Sequence, residues 1–505
     1  MRKNFLTVAA LAVVAFFVST EIAKAADIKF SGQIRSRMEF NEHLGGGTAT
    51  ASGVGTATNN SFQDDNTDEF IFSSVRLAAD AKINDTTSAF IQMQSVRNWG
   101  NTTNTNAANV TGAGAGNGNS SFSANNVDAS VGIHQAYFTL KNFLSLPVPM
   151  DMKLGRQEIK LDGWRLFGNT IWTAGMQTHD AVTFHHKHDN VTWTGGYIKA
   201  IENSRLDENN DQNDGEVYLL HANLKGVLGG QFSGYYVFSD NGCGGVTANA
   251  AGNTCQTGNN NYHTIGGRQA GQMFGLDYRG EYYYQFGRAD GISDTNFGGV
   301  GTPEVDRSAY MFGLRVGKSF KNVMFKPSVT LWYDYLSGTT DADQNGGTNN
   351  NDGSWKSFNT LYDTGHKYYG LQDLFLGVGG GTTTGTRGLG LQDLAVKFKM
   401  SPMPGWTAKL DAHVFATAEG ICANPTTSGV ECADNSGGNN ARDETYLGNE
   451  FDLTLVNKYN ANTKIMIGYS VYNGSSGFRK LKSNQTEIVG ATAADWAYLQ
   501  FDVKF

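Results

Sequence analysis

About eighteen segments of this chain alternate apolar and polar residues with a period of two, and the connections between them alternate long and short. A period of two is a strand with one oily face and one wet face. The segments lie near residues 27–40, 69–83, 86–98, 130–142, 150–159, 180–188, 190–201, 215–225, 230–239, 262–270, 273–288, 307–319, 322–337, 389–401, 404–418, 446–459, 462–475 and 495–505. In the first, Ile28, Phe30, Ile34, Met38 and Phe40 share one face and Lys29, Gln33, Arg35, Arg37 and Glu39 the other. The closing segment repeats the pattern, with Ala497, Leu499, Phe501, Val503 and Phe505 against Tyr498, Gln500, Asp502 and Lys504. Connections run long (41–68), tight (84–86), long (99–129) and short (143–149), and so on to the end. An ordinary sandwich has no reason to keep that rhythm. A barrel crossing an outer membrane does, with short periplasmic turns and long outer loops. The expected fold is all-β, a transmembrane antiparallel β-barrel of about eighteen strands whose last strand closes on the first and leaves no free edge. Both termini then face the periplasm, and the outward rows face outer-membrane lipids.

The N-terminus supports export. Arg2 and Lys3 precede an apolar run from Phe5 to Val18, and Ala23 and Ala25 make a small-residue cleavage site, so residues 1–25 read as a signal peptide. The run is too short to span a bilayer as a helix. Removing the leader takes away Arg2, Lys3, Lys24 and Glu21, which leaves 36 basic and 46 acidic side chains and a formal charge of −10. Such a balance argues against a nucleic-acid partner. Cys243 with Cys255, and Cys422 with Cys432, each fall within one Gly/Asn-rich segment, so two loop-local disulfides are expected in an exported chain.

Three stretches then bring a family into view. "MKLGRQEIKLDGWRLFGNTIWTAGMQTHDAV" (152–182) resembles the G-R-Q motif, the Trp-containing loop and the following H-D-A-V segment of the alginate export porin family. "FNTLYDTGHKYYGLQDLF" (358–375) resembles that family's T-G-H-K-Y-Y-G loop, and residues 446–478 are similar to its penultimate hairpin. The resemblance implies an eighteen-stranded outer-membrane exporter, in agreement with the independent strand count. The terminal Phe505 also resembles the C-terminal aromatic signal through which the outer-membrane assembly machinery recognises its clients.

Strand parity nominates the lumen lining. Arg35, Arg37, Arg76, Arg156, Arg279, Glu281, Arg315, Lys409, Asp411, Glu450 and Asp452 are expected to line the pore. For Arg156 this requires a bulge, because strict parity from Leu154 turns it outward. Lysines near the short-turn ends, among them Lys29, Lys153, Lys187 and Lys225, make a basic mouth. Guanidinium groups bind carboxylates, so a hydrophilic, anionic solute is the expected passenger. The connection from Gly338 to Gly388 exceeds what joins neighbouring strands and is expected to fold into or over the mouth. Within it Asp341, Asp343, Asn345, Gly346 and Asp352 stand at calcium-loop offsets, a candidate site for Ca2+ outside the membrane. No other cofactor is implied. His134, His221 and His413 have no nucleophile motif beside them, so a channel is expected rather than an enzyme. A scaffold barrel plugged by its own loops is the alternative.

Overall fold

The computed structural model describes residues 27–44, 62–99, 131–201, 215–241, 246–247, 254–255, 261–289, 305–339, 354–376, 385–386, 388–421, 444–482 and 493–505. The assigned leader, Cys243, Cys422, Cys432, Asp341, Asp343, Asn345 and Asp352 lie outside them, and of Cys255 only the backbone is described.

Eighteen strands form the wall. They are β1 (Asp27–Leu44), β2 (Phe62–Lys82), β3 (Thr87–Asn98), β4 (Gly132–Leu140), β5 (Asp151–Gln157), β6 (His179–His188), β7 (Val191–Ile201), β8 (Gly215–Val227) and β9 (Gly230–Asn241). The second half comprises β10 (Tyr262–Met273), β11 (Leu276–Ala289), β12 (Val305–Ser319), β13 (Ser328–Leu336), β14 (Leu391–Met400), β15 (Trp406–Ile421), β16 (Glu444–Lys458), β17 (Thr463–Gly474) and β18 (Ala493–Lys504). Each strand pairs antiparallel with the next, and β18 pairs with β1 from Gln33↔Lys504 to Glu42↔Asp495, so the sheet is a closed barrel. Closure satisfies every backbone group across the bilayer.

Side chains follow the expected inversion. Leu314, Leu331, Val396, Leu410 and Phe451 are exposed on the outside, where lipid would cover them. On the outer face of β11 to β13, Tyr282, Tyr310, Phe312 and Tyr335 stack at 5.3–6.4 Å, an aromatic girdle of the kind that settles at a headgroup boundary. One boundary differs from the sequence reading. The segment expected near residues 322–337 begins later, because Phe325 and Lys326 adopt left-handed backbone (φ 65° and 46°) ahead of Pro327, and β13 starts at Ser328. Proline offers no N–H to a ladder, so the turn runs on through it.

The apolar core lies inside the barrel. Ile159, Leu166 and Phe167 from the β5–β6 connection, and Phe358, Leu361, Tyr368, Tyr369, Leu374 and Phe375 from the β13–β14 connection, are buried in one cluster with wall residues such as Tyr283, Met311 and Tyr472. Two loops from the long-loop end have folded back into the lumen.

Candidate functional site

The two inward loops, 158–178 and 356–376, are joined to each other by backbone. Gly168 N–H donates to Tyr362 O (2.8 Å), Tyr362 N–H to Leu166 O (2.9 Å) and Thr364 N–H to Trp164 O (3.1 Å), forming a short parallel strip. Gly168 is required there because a Cβ would lie 2.1 Å from Thr364 Oγ1. The Tyr368 hydroxyl and Lys367 Nζ both donate to Gly163 O, Lys367 at 3.0 Å. Trp172 stacks on His366 at 4.0 Å, so the loops form one plug.

Polar wall residues hold that plug on several sides. On β1, Arg35 donates to the carbonyls of Ile171 and Thr173 (both 2.5 Å), and Arg37 donates to Trp172 O (2.9 Å) while lying 3.6 Å over its ring. On β3, Gln94 donates to Gly175 O (2.8 Å) and is itself held by Arg76 of β2 (2.6 Å). On the far side, Arg165 of the first loop reaches Glu281 (3.0 Å) and Asp334 (2.6 Å), and Arg315 meets the same two carboxylates at 2.7 and 3.0 Å. Two cations and two anions thus close a buried, neutral square. Burial opposes the charge on Arg165, but Asp334, Tyr369 and Glu281 outweigh it and hold its pKa well above the ordinary value. Asp162 accepts from His221 (3.0 Å) and from the Tyr235 hydroxyl, and Glu158 accepts from His134 (3.2 Å), Lys160 (2.8 Å) and Asn169 (2.9 Å). Burial alone would raise Glu158, yet hydrogen bonds from His134 and Lys160 bring it to about 2.

The plug packs against the inner wall on many sides. Every one of the eighteen strands presents at least one buried inward side chain, from Arg35 and Ser74 through Ser233 and Thr264 to Ser470 and Gln500.

Of the residues named from parity, Arg35, Arg37, Arg76, Arg279, Glu281, Arg315, Lys409, Asp411, Glu450 and Asp452 sit on inward rows. Arg35, Arg37 and Arg315 do not stand free in a passage, because their donors go to the plug or to the carboxylates that bind it. Arg156 is a correction. Register runs unbroken through Leu154, Gly155 and Arg156, so no bulge turns it inward; it lies outside, paired with Asp180 at 2.6 and 2.9 Å across the two ends of the first loop. Parity could not find Arg165, Asp334, Trp172 or Lys367 as a group, since three of the four sit on loops and only Asp334 on a strand. Their signal was the apolar content of 158–178, unusual for a connection that faces water.

Among the described residues, Arg268, Arg279 and Lys367 carry no ion pair with a carboxylate, although they gather beside the neutral square; Nε and Nη1 of Arg268 have no hydrogen-bond partner. Partial burial, then the guanidiniums of Arg279, Arg165, Arg315 and Arg268, pull Lys367 down to about 8. Three cations without an ion pair therefore gather beside the square.

The alginate export family profile matches residues 28–490, nearly the whole chain. The protein belongs to the alginate export family. Among solved structures, Acinetobacter baumannii OccAB1 is similar at a TM-score of 0.51 and 11% identity, covering 95% of this chain and 97% of the other. Acinetobacter baumannii OccAB4 gives 0.50 and 12%, with 95% and 99% covered. At such identities these likenesses speak to the barrel fold. No curated protein matches the sequence. This family member is an outer-membrane barrel of the porin class.

Proposed function

We propose that the barrel is a gated channel that passes hydrophilic, anionic solutes, an acidic polysaccharide among them, from a periplasmic short-turn end. The observation that carries the reading is the group of three cations, Arg268, Arg279 and Lys367, without carboxylate ion pairs among the described residues, beside the neutral square of Arg165, Arg315, Glu281 and Asp334. Positive charge in a narrow, low-dielectric passage attracts anions and repels cations. Inward lysines such as Lys153 and Lys187 extend that field toward the short-turn mouth. Lipids cover the outer face, and the last strand is the handle for the assembly machinery.

Reversal potentials under a salt gradient test this. The wild type should prefer anions, and Arg279→Gln with Lys367→Gln should move the potential toward cations. The preference should also weaken as pH rises through about 8, because Lys367 is charged only below that value. Equal potentials in the wild type and the double variant would remove these residues from the filter. The two loops buried inside the barrel favour a second reading, a scaffold barrel that never opens. A chain that inserts and folds but passes no current in any state would support it.

A further inference from the structure

One anchor of the plug differs chemically from the arginine clamps. Glu450 of β16 accepts the backbone N–H groups of Leu371 (2.6 Å) and Gln372 (3.0 Å), and Ser470 Oγ lies 3.2 Å away. The second loop wraps the carboxylate closely. Gly370 takes a φ of 83°, and a Cβ there would lie 2.5 Å from Glu450 Oε2. Two residues along the same inward row, Asp452 is 2% exposed and neither of its oxygens has a hydrogen-bond partner, nor has Oε2 of Glu450.

The surrounding elements supply little more than the Ser470 hydroxyl, which lies beside both carboxylates. On β15, His413 lies opposite Glu450, directs Nδ1 at Asp393 of β14 (2.8 Å), receives Lys397 Nζ at Nε2 (3.1 Å) and stays 3.9 Å from Asp452. Both ring nitrogens of His413 are thus engaged, with Asp393 and Lys397. Lys397 is spent on Asp411 as well (2.9 Å). On β17 the Tyr472 hydroxyl donates to Leu447 O, and in the loop the Gln372 amide donates to Ala494 O (2.9 Å). On β18 Tyr498 faces the same region, and beyond it Arg37 is bound to Glu39 (2.5 Å). Three carboxylate oxygens therefore meet in a dry space with no Lys or Arg in direct contact among the described residues, Lys397 acting on Asp452 only from a distance, and two ionised carboxylates side by side there would repel strongly.

We propose that Glu450 and Asp452 hold one proton between them, and that this proton latches the second inward loop; when it leaves to water, the loop unseats and the channel opens. The inference rests on the channel reading above. The seated loop binds one proton more than the released loop, so seating is strongest at low pH and is lost as pH rises. A single linked proton changes the open-to-closed ratio by up to roughly tenfold per pH unit.

Single-channel recording of the full-length protein in planar bilayers, from about pH 5 to about pH 9 and so above the ordinary carboxylate range, tests the latch. The wild type should open more often as pH rises. Asp452→Asn supplies an amide donor to Glu450 Oε2 and should stay closed and indifferent to pH; Glu450→Gln, which still accepts the two loop N–H groups and donates to Asp452, should behave alike and covers the case in which the first variant fails to fold. Replacing 360–375 by a short Gly/Ser linker should give a barrel open at every pH. An Asp452→Asn channel that titrates like the wild type overturns the latch. So does a wild type flat in pH while the linker variant conducts. A folded linker variant that passes no current overturns the channel reading, and the latch with it.

Discussion

At the scale of single residues, the structure is governed by charges that cannot be left alone. Arg165 sits at 2% exposure between Glu281 and Asp334, with Arg315 completing the square. Deleting one partner of a buried pair costs about 3–5 kcal/mol, mainly because the others stay behind uncompensated. Arg165→Ala should therefore shift the seated-to-released ratio by roughly a hundredfold or more. Bilayer recordings should show a more open channel, while gel migration of the unheated barrel stays unchanged. If the variant is as closed as the wild type, the square is not what seats the first loop. Arg156 makes the opposite point. Its pair with Asp180 is 26% and 52% exposed, so this bidentate contact on the outer face contributes at most about 1 kcal/mol.

At the scale of elements, the wall was readable and the plug only in part. Each strand separates lipid from lumen, and that demand writes itself into alternation, as in Tyr310, Phe312, Leu314 and Val316 against Arg315. Parity tells which face a side chain takes, but not what waits there, so Arg35 and Arg37 could be placed inward without their carbonyl partners in the loop. The length of the Gly338–Gly388 connection pointed to an inserted segment, and residues 356–376 do fold inside. The first loop gave no comparable length, and its left-handed residues, Asp162, Trp164, Thr170 and Met176, belong to no repeating pattern. The joint between the loops is the place to test them. In Gly168→Ala the new methyl overlaps Thr364 Oγ1, and the parallel strip should part. Protease access to 158–178 should increase, and Thr364→Ala in the same chain should restore part of the protection. Unchanged access in Gly168→Ala would show that the strip tolerates the methyl.

At the scale of the whole molecule, closure depends on the two chain ends. Phe505 and Gly32 exchange backbone hydrogen bonds (2.7 and 3.0 Å), and a Cβ at Gly32 would lie 2.4 Å from the Phe505 ring. Deleting Phe505, or substituting Gly32→Val, should lower the yield of folded barrel in reconstitution, with the already folded fraction melting earlier. Full yield from both would move the closing contact elsewhere along β1 and β18. The plug adds a mechanical consequence. Arg35 and Arg37 tie it to β1, Gln94 to β3, Glu281 and Asp334 to β11 and β13, and Glu450 to β16, on both sides of the β18–β1 seam. These ties run like spokes to a hub. An empty hoop of eighteen strands would flatten more readily under lateral pressure from the bilayer than a spoked one, so a variant without the plug should have a softer rim.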